Sequence, residues 1–572
     1  MSMQPQPWPE PPEEITKAVL AMYAGRQAPL PVVVRDELDE LFADAEFAQA
    51  FGVRGKPGWS PGRLAMITAF QMAENLTDVQ AAEAVRLRLD WKYALGLELT
   101  DPGFDASVLS EFRTRVVEHG LEEKALDLLV AKLVDKGLLK SGGKQRTDSS
   151  HVISAVRDLN RLELAGETVR TAVEAIAAAA PDWLAQAIDV AGWGHRYGAR
   201  VDSWRLPTSK TKRNALAVAY GTDGFALLTA VYATTAPAWL AELPAVEVLR
   251  VVLLQNYTRT IDRTGREVIK RRESDTDGLP PGQRRITSPY DPDARWGGKR
   301  DLVWNGYKIH ISETCDAADT PASAGDVVDT PPNLITHVAT TDASVPDVAM
   351  TEPIHEALAR RDVPPAEHYV DSGYPSADLL VSSLARFGIA LVTPMLADTS
   401  PQARAGNGFD RTAFTVDWDN QQVTCPQGQV NDSWSPADQR GTNVIVVKFG
   451  GEVCQPCPVK AQCTTAKRGG RQLTLRPKAV QQALDHARAE QTTKAWQTKY
   501  ALRAGAESTI AQSVKVTDTR HARYRGLPKT RLEHVFKAVA LNLIRLDTWW
   551  NGHPLDRRRT SHLSRLELTL AA

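Results

Sequence analysis

Three acidic residues far apart in the chain, Asp148, Asp371 and Glu507, stand where they could do chemistry together. Asp148 lies inside "GGKQRTDSSHVISAV", a short β-like run opened by glycines, and Asp371 closes the buried-strand pattern of "EHYVDSGY" just before a tight Ser-Gly turn. Glu507 falls in "KYALRAGAESTIAQSVK", where Tyr500, Arg503 and Glu507 follow i, i+3, i+7 spacing and are predicted to share one helix face. Carboxylates brought together repel unless cations lie between them, and hard divalent ions with oxygen ligands, magnesium or manganese, answer that repulsion. Two such ions about 4 Å apart activate an attacking oxygen and stabilise the leaving oxygen of a phosphodiester. Each residue also has a plainer reading: Asp371 as a turn residue, and Glu507 as the partner of Arg503 in a surface ion pair contributing about 0.3–0.5 kcal/mol. Spacing alone does not choose between them.

The elements that would position these residues divide the chain. Residues 1–33, beginning "MSMQPQPWPEPPEE", are expected to be extended or disordered. Residues 34–140 carry apolar residues at three-and-four spacing, with capping signals at Ser60, Thr77 and Asp105, and predict short helices joined by tight turns. Strand patterns start at Gly142. A helical, alanine-rich stretch and then a polar, basic loop, "IKRRESDTDGLPPGQRR", make residues 157–299 an insertion. Strands return in "VWNGYKIHISETC", "NLITHVATTDASVPD", "EHYVDSGY" and "GIALVTPM", with a helix fitting "VAMTEPIHEALARRD". Residues 141–156, 300–400 and 477–550 therefore predict an α/β core with a mixed sheet. Residues 401–476 form a second insertion, and 551–572 a basic tail.

Several long stretches, in this order, resemble the DDE-type transposases of bacterial insertion sequences: "SPGRLAMITAFQMAENLTDVQAAEAVRLRLDWKYALGLEL", "RTDSSHVISAVRDLNRLELAGETVR", "ITSPYDPDARWGGKRDLVWNGYKIHISETCD", "YVDSGYPSADLL" and "RAGAESTIAQSVKVTDTRHARYRGLPKTRLEHVFKAVALNLIRL". The resemblance implies a ribonuclease-H-like core, a mixed five-strand sheet with flanking helices, preceded by an all-helical domain that recognises the element's terminal repeats. It places the catalytic, metal-binding triad on Asp148, Asp371 and Glu507, with two magnesium or manganese ions, and the preceding tyrosine and arginine on Tyr500 and Arg503. One departure stands out. The lysine that relatives carry seven residues after the glutamate is replaced by Val514, and Lys515 follows, turned about 80° from Glu507 on a regular helix. The implied reaction is cleavage of double-stranded DNA at the element's ends followed by strand transfer, in a homodimer that pairs both ends.

Charge supports a polyanionic partner near the C-terminus. Between Gln481 and Ala572 there are 16 Lys and Arg against 8 Asp and Glu, although the whole chain carries a formal charge of −1. Arg520, Arg523, Arg525 and Lys529, in "RHARYRGLPKTR", join Tyr500, Arg503 and Lys515 as candidate DNA contacts, which would position DNA without reading its sequence. Cys454, Cys457 and Cys463 form C-x2-C-x5-C, with Cys425 in "CPQG" ahead of them; four thiolates suit a structural zinc, and reduced, unliganded thiols are the alternative. Cys315, alone on a predicted strand, reads as core. No apolar run approaches the ~20 residues of a membrane span, and the N-terminus lacks the layout of a secretory signal, so a cytoplasmic protein is expected. Two rivals share many of these features: a transposase-derived DNA-binding protein that no longer cuts, and a metal-dependent nuclease acting on structured DNA.

Overall fold

A curled mixed sheet occupies the centre of the computed structural model, which describes residues 3–55, 57–316 and 331–552. Among the described residues the sheet has six strands rather than the expected five: β1 (Lys144–Ile153), β2 (Leu302–Thr314), β3 (Ile335–Asp342), β4 (Glu367–Tyr369), β5 (Ala390–Val392), and the short strand Arg295–Lys299, which pairs with the start of β2. β1, β2 and β3 pair antiparallel, and β1, β4 and β5 pair parallel, giving the order β3-β2-β1-β4-β5. This is the ribonuclease-H-like arrangement. β1 lies at its middle and is buried along most of its length; β4 flanks it as far as Arg146, and β2 pairs along it past Asp148, which faces Ile311.

The helical N-terminal region packs onto this sheet through one continuous core. Phe70, Trp91, Phe112 and Leu129 share that core with Tyr307, Ile309 and Ile311 of β2 and with Phe536 of the long helix Leu527–Trp550. Residue 140 thus marks a change of secondary structure within a shared core. Helix Pro61–Ala73 starts at Ser60, whose hydroxyl accepts the Arg63 N–H at 3.1 Å, and helix Asp78–Leu87 starts with a capping box between Thr77 and Gln80. Among the described residues no helix is long and apolar enough to cross a membrane.

Several expectations need correction. The N-terminal stretch is extended only to Pro12; Glu13–Tyr23 is a helix, because Ile15 and Val19, one turn apart, bury against Val32 and Tyr93. Within the first insertion, Ile269–Arg271, the start of the basic stretch expected to be a loop, belong to a β-hairpin of Tyr257–Ile261 with Glu267–Arg271. It is anchored by the buried Tyr257, whose hydroxyl donates to the Ala217 carbonyl at 2.7 Å. The sheet resumes inside the expected insertion, since Arg295–Lys299 already pairs with Leu302–Gly306. Each insertion has a core of its own: Val169, Leu227 and Leu249 in the first, Phe414, Val447 and Leu475 in the second. Of the basic tail, residues 553–572 lie outside the described residues.

A buried ionic knot joins the sheet to the C-terminal helices. Glu313 of β2 is 1 % exposed and accepts from Arg146 Nε of β1 at 2.7 Å, from Arg545 Nη1 of helix Leu527–Trp550 at 2.8 Å, and from the Thr509 hydroxyl at 2.6 Å. Arg146 also donates through Nη1 to the Leu502 carbonyl at 2.8 Å. Gly505 is required here, because a Cβ at that position would collide with the Arg146 guanidinium. Removing one member of such a buried pair leaves an uncompensated charge, at a cost of about 3–5 kcal/mol. Glu313→Ala is therefore expected to lower unfolding free energy by about that amount in denaturant melts, whereas an exposed control, Glu247→Ala, changes it by less than about 1 kcal/mol.

Candidate active site

Arg503 gathers the three carboxylates. Its Nη2 donates to Asp148 Oδ2 at 2.7 Å and lies 4.0 Å from Asp371 Oδ2, while its Nη1 lies 3.1 Å from Glu507 Oε1. These groups arrive from three places in the fold. Asp148 comes from the middle of β1, Asp371 from the turn two residues beyond β4, and Glu507 from the first turn of helix Gly505–Thr517. Tyr500, Arg503 and Glu507 do not lie on one regular helix. Lys494–Tyr500 ends at the tyrosine, a 3-10 turn over Ala501–Ala504 holds the arginine, and a new helix starts at Gly505. The break lets Arg146 reach the Leu502 carbonyl and swings Arg503 over the end of the sheet.

The three carboxylates sit in different surroundings. Asp148 is 7 % exposed, and burial pushes its pKa up while Arg503 and the Ser149 N–H, which donates to Oδ1 at 2.8 Å, pull it back down. Asp371 is half-buried, and its Oδ1 accepts the Gly373 N–H at 2.8 Å, so the Ser-Gly turn fixes the carboxylate rather than merely following it. Glu507 is exposed. The oxygen-only donor set suits a hard divalent cation. As they stand, however, the carboxylates converge on a guanidinium, and among the described residues no group of three His, Cys, Asp or Glu side chains forms a metal-holding cluster.

Sequence reasoning missed a second layer. Asp347, just past β3, accepts from the Ser149 hydroxyl at 3.1 Å and pairs with Lys308 at 3.0 Å. Beneath the cluster, the fully buried Tyr374 hydroxyl is hydrogen-bonded to His310 Nδ1 at 2.7 Å. Burial, reinforced by the charges of Asp347, Asp148 and Asp371, holds that phenol well above its ordinary pKa, so it stays neutral. The visible signal for both was position: Asp347 follows a predicted strand, as Asp371 does, and Tyr374 closes "DSGY".

The candidate DNA contacts separate into two groups. Lys515 and Arg520 line an open groove of about 480 Å³ together with Asp148, Ser150 and Glu507, and Arg520 Nε donates to the Ser150 hydroxyl at 3.3 Å. Val514, which occupies the place of the relatives' lysine, instead packs against the main core. Tyr500 and Arg523 are engaged elsewhere. Tyr500 donates to the Val370 carbonyl at 3.2 Å and stacks on Trp496 at 4.8 Å, while Arg523 binds the Leu76 carbonyl at 2.7 Å and the Asn75 side chain. Arg525 lies 6.0 Å from the Tyr290 ring, and Lys529 sits half-buried in the first turn of helix Leu527–Trp550.

In the second insertion Cys425, Cys454, Cys457 and Cys463 all line one small cavity with Phe414 and Phe449, and all four are free thiols. The Gln429 N–H points at Cys425 Sγ from 3.4 Å, and the Cys457 N–H donates to the Cys454 carbonyl at 3.3 Å. Burial raises the Cys463 thiol pKa. Cys315 is core, as expected, its thiol pushed up to about 12 by burial.

Two sequence families match the chain. Residues 424–547 match the family described as Transposase DDE domain, and residues 27–115 match Transposase domain (DUF772). No curated protein and no solved structure matches. Together the two matches support a DDE-type transposase of an insertion-sequence family. The DDE match contains Glu507 and the four cysteines of the insertion, while Asp148 and Asp371 lie outside it.

Any activity that needs Asp148 as a carboxylate falls as pH drops through its raised pKa. Arg503→Met removes the nearest cation and raises that pKa further, so the acid limb of a pH–cleavage profile is expected to move to higher pH. Arg503→Lys is expected to hold it near the wild-type position, and coincident limbs for wild type and Arg503→Met would exclude Asp148 as the titrating group.

Proposed function

We propose that this protein cuts double-stranded DNA at the ends of its insertion sequence and joins the freed ends to target DNA. The observation that carries the reading is the convergence on Arg503 of Asp148, Asp371 and Glu507, at the mouth of a groove edged by Lys515 and Arg520. In this reading the three carboxylates hold magnesium or manganese, two ions, and Arg503 swings from the carboxylates to a phosphate, a task suited to its planar fork. Ions bound there would neutralise charge on the phosphate and on the attacking and leaving oxygens of an in-line displacement. The strand β1 and the Ser-Gly turn keep Asp148 and Asp371 in place while the exposed Glu507 adjusts. The N-terminal helices recognise the terminal repeats, and two copies of the chain pair the two ends.

The test uses the purified full-length protein, magnesium, and duplexes carrying the inverted repeats that flank the gene. Wild type is expected to nick and join these duplexes. Asp148→Asn and Asp371→Asn are each expected to reduce cleavage at least about 1,000-fold with duplex binding retained, since one ligand of such a site supplies several kcal/mol. Cleavage by Asp371→Asn at the wild-type rate would overturn the assignment of the site. Cutting without joining would favour a nuclease, and binding without cutting a DNA-binding descendant.

The four cysteines add a separate proposal, a structural zinc in the second insertion. Its support is the donor set: four thiols around a cavity of about 30 Å³, which would have to draw closer to enclose an ion. Metal analysis of the purified chain is expected to find one zinc per chain, lost in Cys454→Ser together with thermal stability of the insertion. Metal-free protein with four thiols that react fully in the folded state would sink this part alone.

A further inference from the structure

The two edges of β1 bring cations to its end from opposite sides. On one edge, β2 and its partner Arg295–Lys299 form a hairpin whose register sets Lys299 beside Leu302 at the turn. The hairpin is hooked onto β1 by the Ser154 N–H, which donates to the Asn305 carbonyl at 3.0 Å. Gly306 has φ +148°, and a Cβ there would collide with the Val152 carbonyl and the Ser154 nitrogen, so glycine permits the chain to pass this close. Beyond Gly306 the hairpin folds back toward β1: the buried Trp304 indole lies 5.6 Å from the His151 ring, and Gly297 leaves the space that Trp304 fills. On the other edge, Arg520–Ala522 bridges to Ile153, with the Ile153 N–H donating to the Arg520 carbonyl at 2.7 Å and the Ala522 N–H to the Ile153 carbonyl at 2.9 Å.

Lys299 lies two positions from Gly297, the cross-strand partner of Trp304, and so on the hairpin face whose indole meets His151, while Arg520 reaches Ser150, two residues along β1 from Asp148. Their charges are felt there: after burial, Arg520, His521 and Lys299 depress the pKa of His151. Lys299 is exposed and its side chain has no hydrogen bond or ion pair within the described residues, so its charge is free for a ligand. Among the described residues the Arg520 side chain has one hydrogen bond, from Nε to the Ser150 hydroxyl.

We infer that Lys299, together with Arg520, forms a seat for a backbone phosphate of the DNA strand lying next to Asp148. The inference rests on the reading of the site as a DNA-cleaving centre and adds to it a binding residue on the β2 hairpin, outside the carboxylates and outside both matched sequence families. Its chemistry is that of a phosphodiester clamp, a mobile ammonium on one side and a guanidinium on the other. It positions a strand and reads no base.

The experiment measures binding of the full-length protein to a labelled inverted-repeat duplex and to a random duplex of equal length across a salt series, alongside single-turnover cleavage. Lys299→Ala is expected to weaken both duplexes by a similar factor, roughly 3- to 10-fold, and to reduce the slope of log K against log salt by about one. Lys299→Arg is expected to restore both, and Lys299→Glu to weaken binding beyond the alanine variant. Lys299→Ala with the wild-type affinity and slope would overturn the phosphate seat while leaving the transposase reading intact. Failure of that reading is distinguishable, since it appears as wild-type cleavage by Asp148→Asn or as no binding of either duplex by the wild-type protein.

Discussion

Glu313 is the point on which the site depends, although it touches no substrate. A carboxylate with 1 % exposure is sustained only by partners that meet it completely, and here Arg146, Arg545 and Thr509 do so from three elements. Arg146 belongs to β1 two residues before Asp148, and Thr509 belongs to the helix that carries Glu507. The knot therefore sets the distance between two of the three carboxylates. Arg146 reaches further, to the Leu502 carbonyl, and so fixes the 3-10 turn from which Arg503 projects. Buried charge of this kind adds little net stability compared with apolar packing, but it admits few alternative geometries. A site assembled from residues hundreds of positions apart needs that restriction.

The insertions show why such separation is tolerated. Both leave the sheet at positions where the core chain would need only a short connection, and each closes over apolar residues of its own, such as Val169 and Leu249 in the first and Phe414 and Val447 in the second. A unit with its own core places little demand on the path of the chain around it, and the entropic cost of a longer connection grows only slowly with length. The N-terminal helices follow the opposite rule. Helix Pro61–Ala73 is buried along nearly its whole length against the long helix Leu527–Trp550, so only neighbours such as Asp78–Leu87, with Val79 and Leu87 exposed, present a free surface.

Much of this was legible in the sequence, and the failures have physical causes. The mixed α/β core and the helical N-terminal region followed from strand patterns and long family-like stretches, and the three carboxylates picked out by those stretches lie around Arg503. What failed was whatever depends on contacts distant in sequence. The i, i+3, i+7 spacing of Tyr500, Arg503 and Glu507 is compatible with one helix, and nothing local reveals the 3-10 turn at Ala501–Ala504, whose Leu502 carbonyl accepts from Arg146. The helix Glu13–Tyr23 forms because Ile15 and Val19 find Val32 and Tyr93, a contact that proline-rich composition hides. Lys515 looked misplaced on helical geometry relative to Glu507, yet it lines the groove while Val514 turns into the core. Asp347 was overlooked because its partners Ser149 and Lys308 lie on other strands.

The charge arrangement explains why carboxylates stand at the centre and cations at the rim. Asp148, Asp371 and Glu507 set against one guanidinium leave an excess of two negative charges, the amount that one divalent cation neutralises. Asp347 adds little to this excess, since Lys308 pairs with it. A DNA strand entering the groove brings still more negative charge, so the centre cannot supply the attraction. In the proposed reading that attraction comes from Lys515 and Arg520, which line the groove, and from Lys299 on the hairpin, where neutralising each phosphate would release counterions. In that reading, cations around a negative centre at the end of the sheet would hold a phosphate strand against carboxylates it would otherwise avoid.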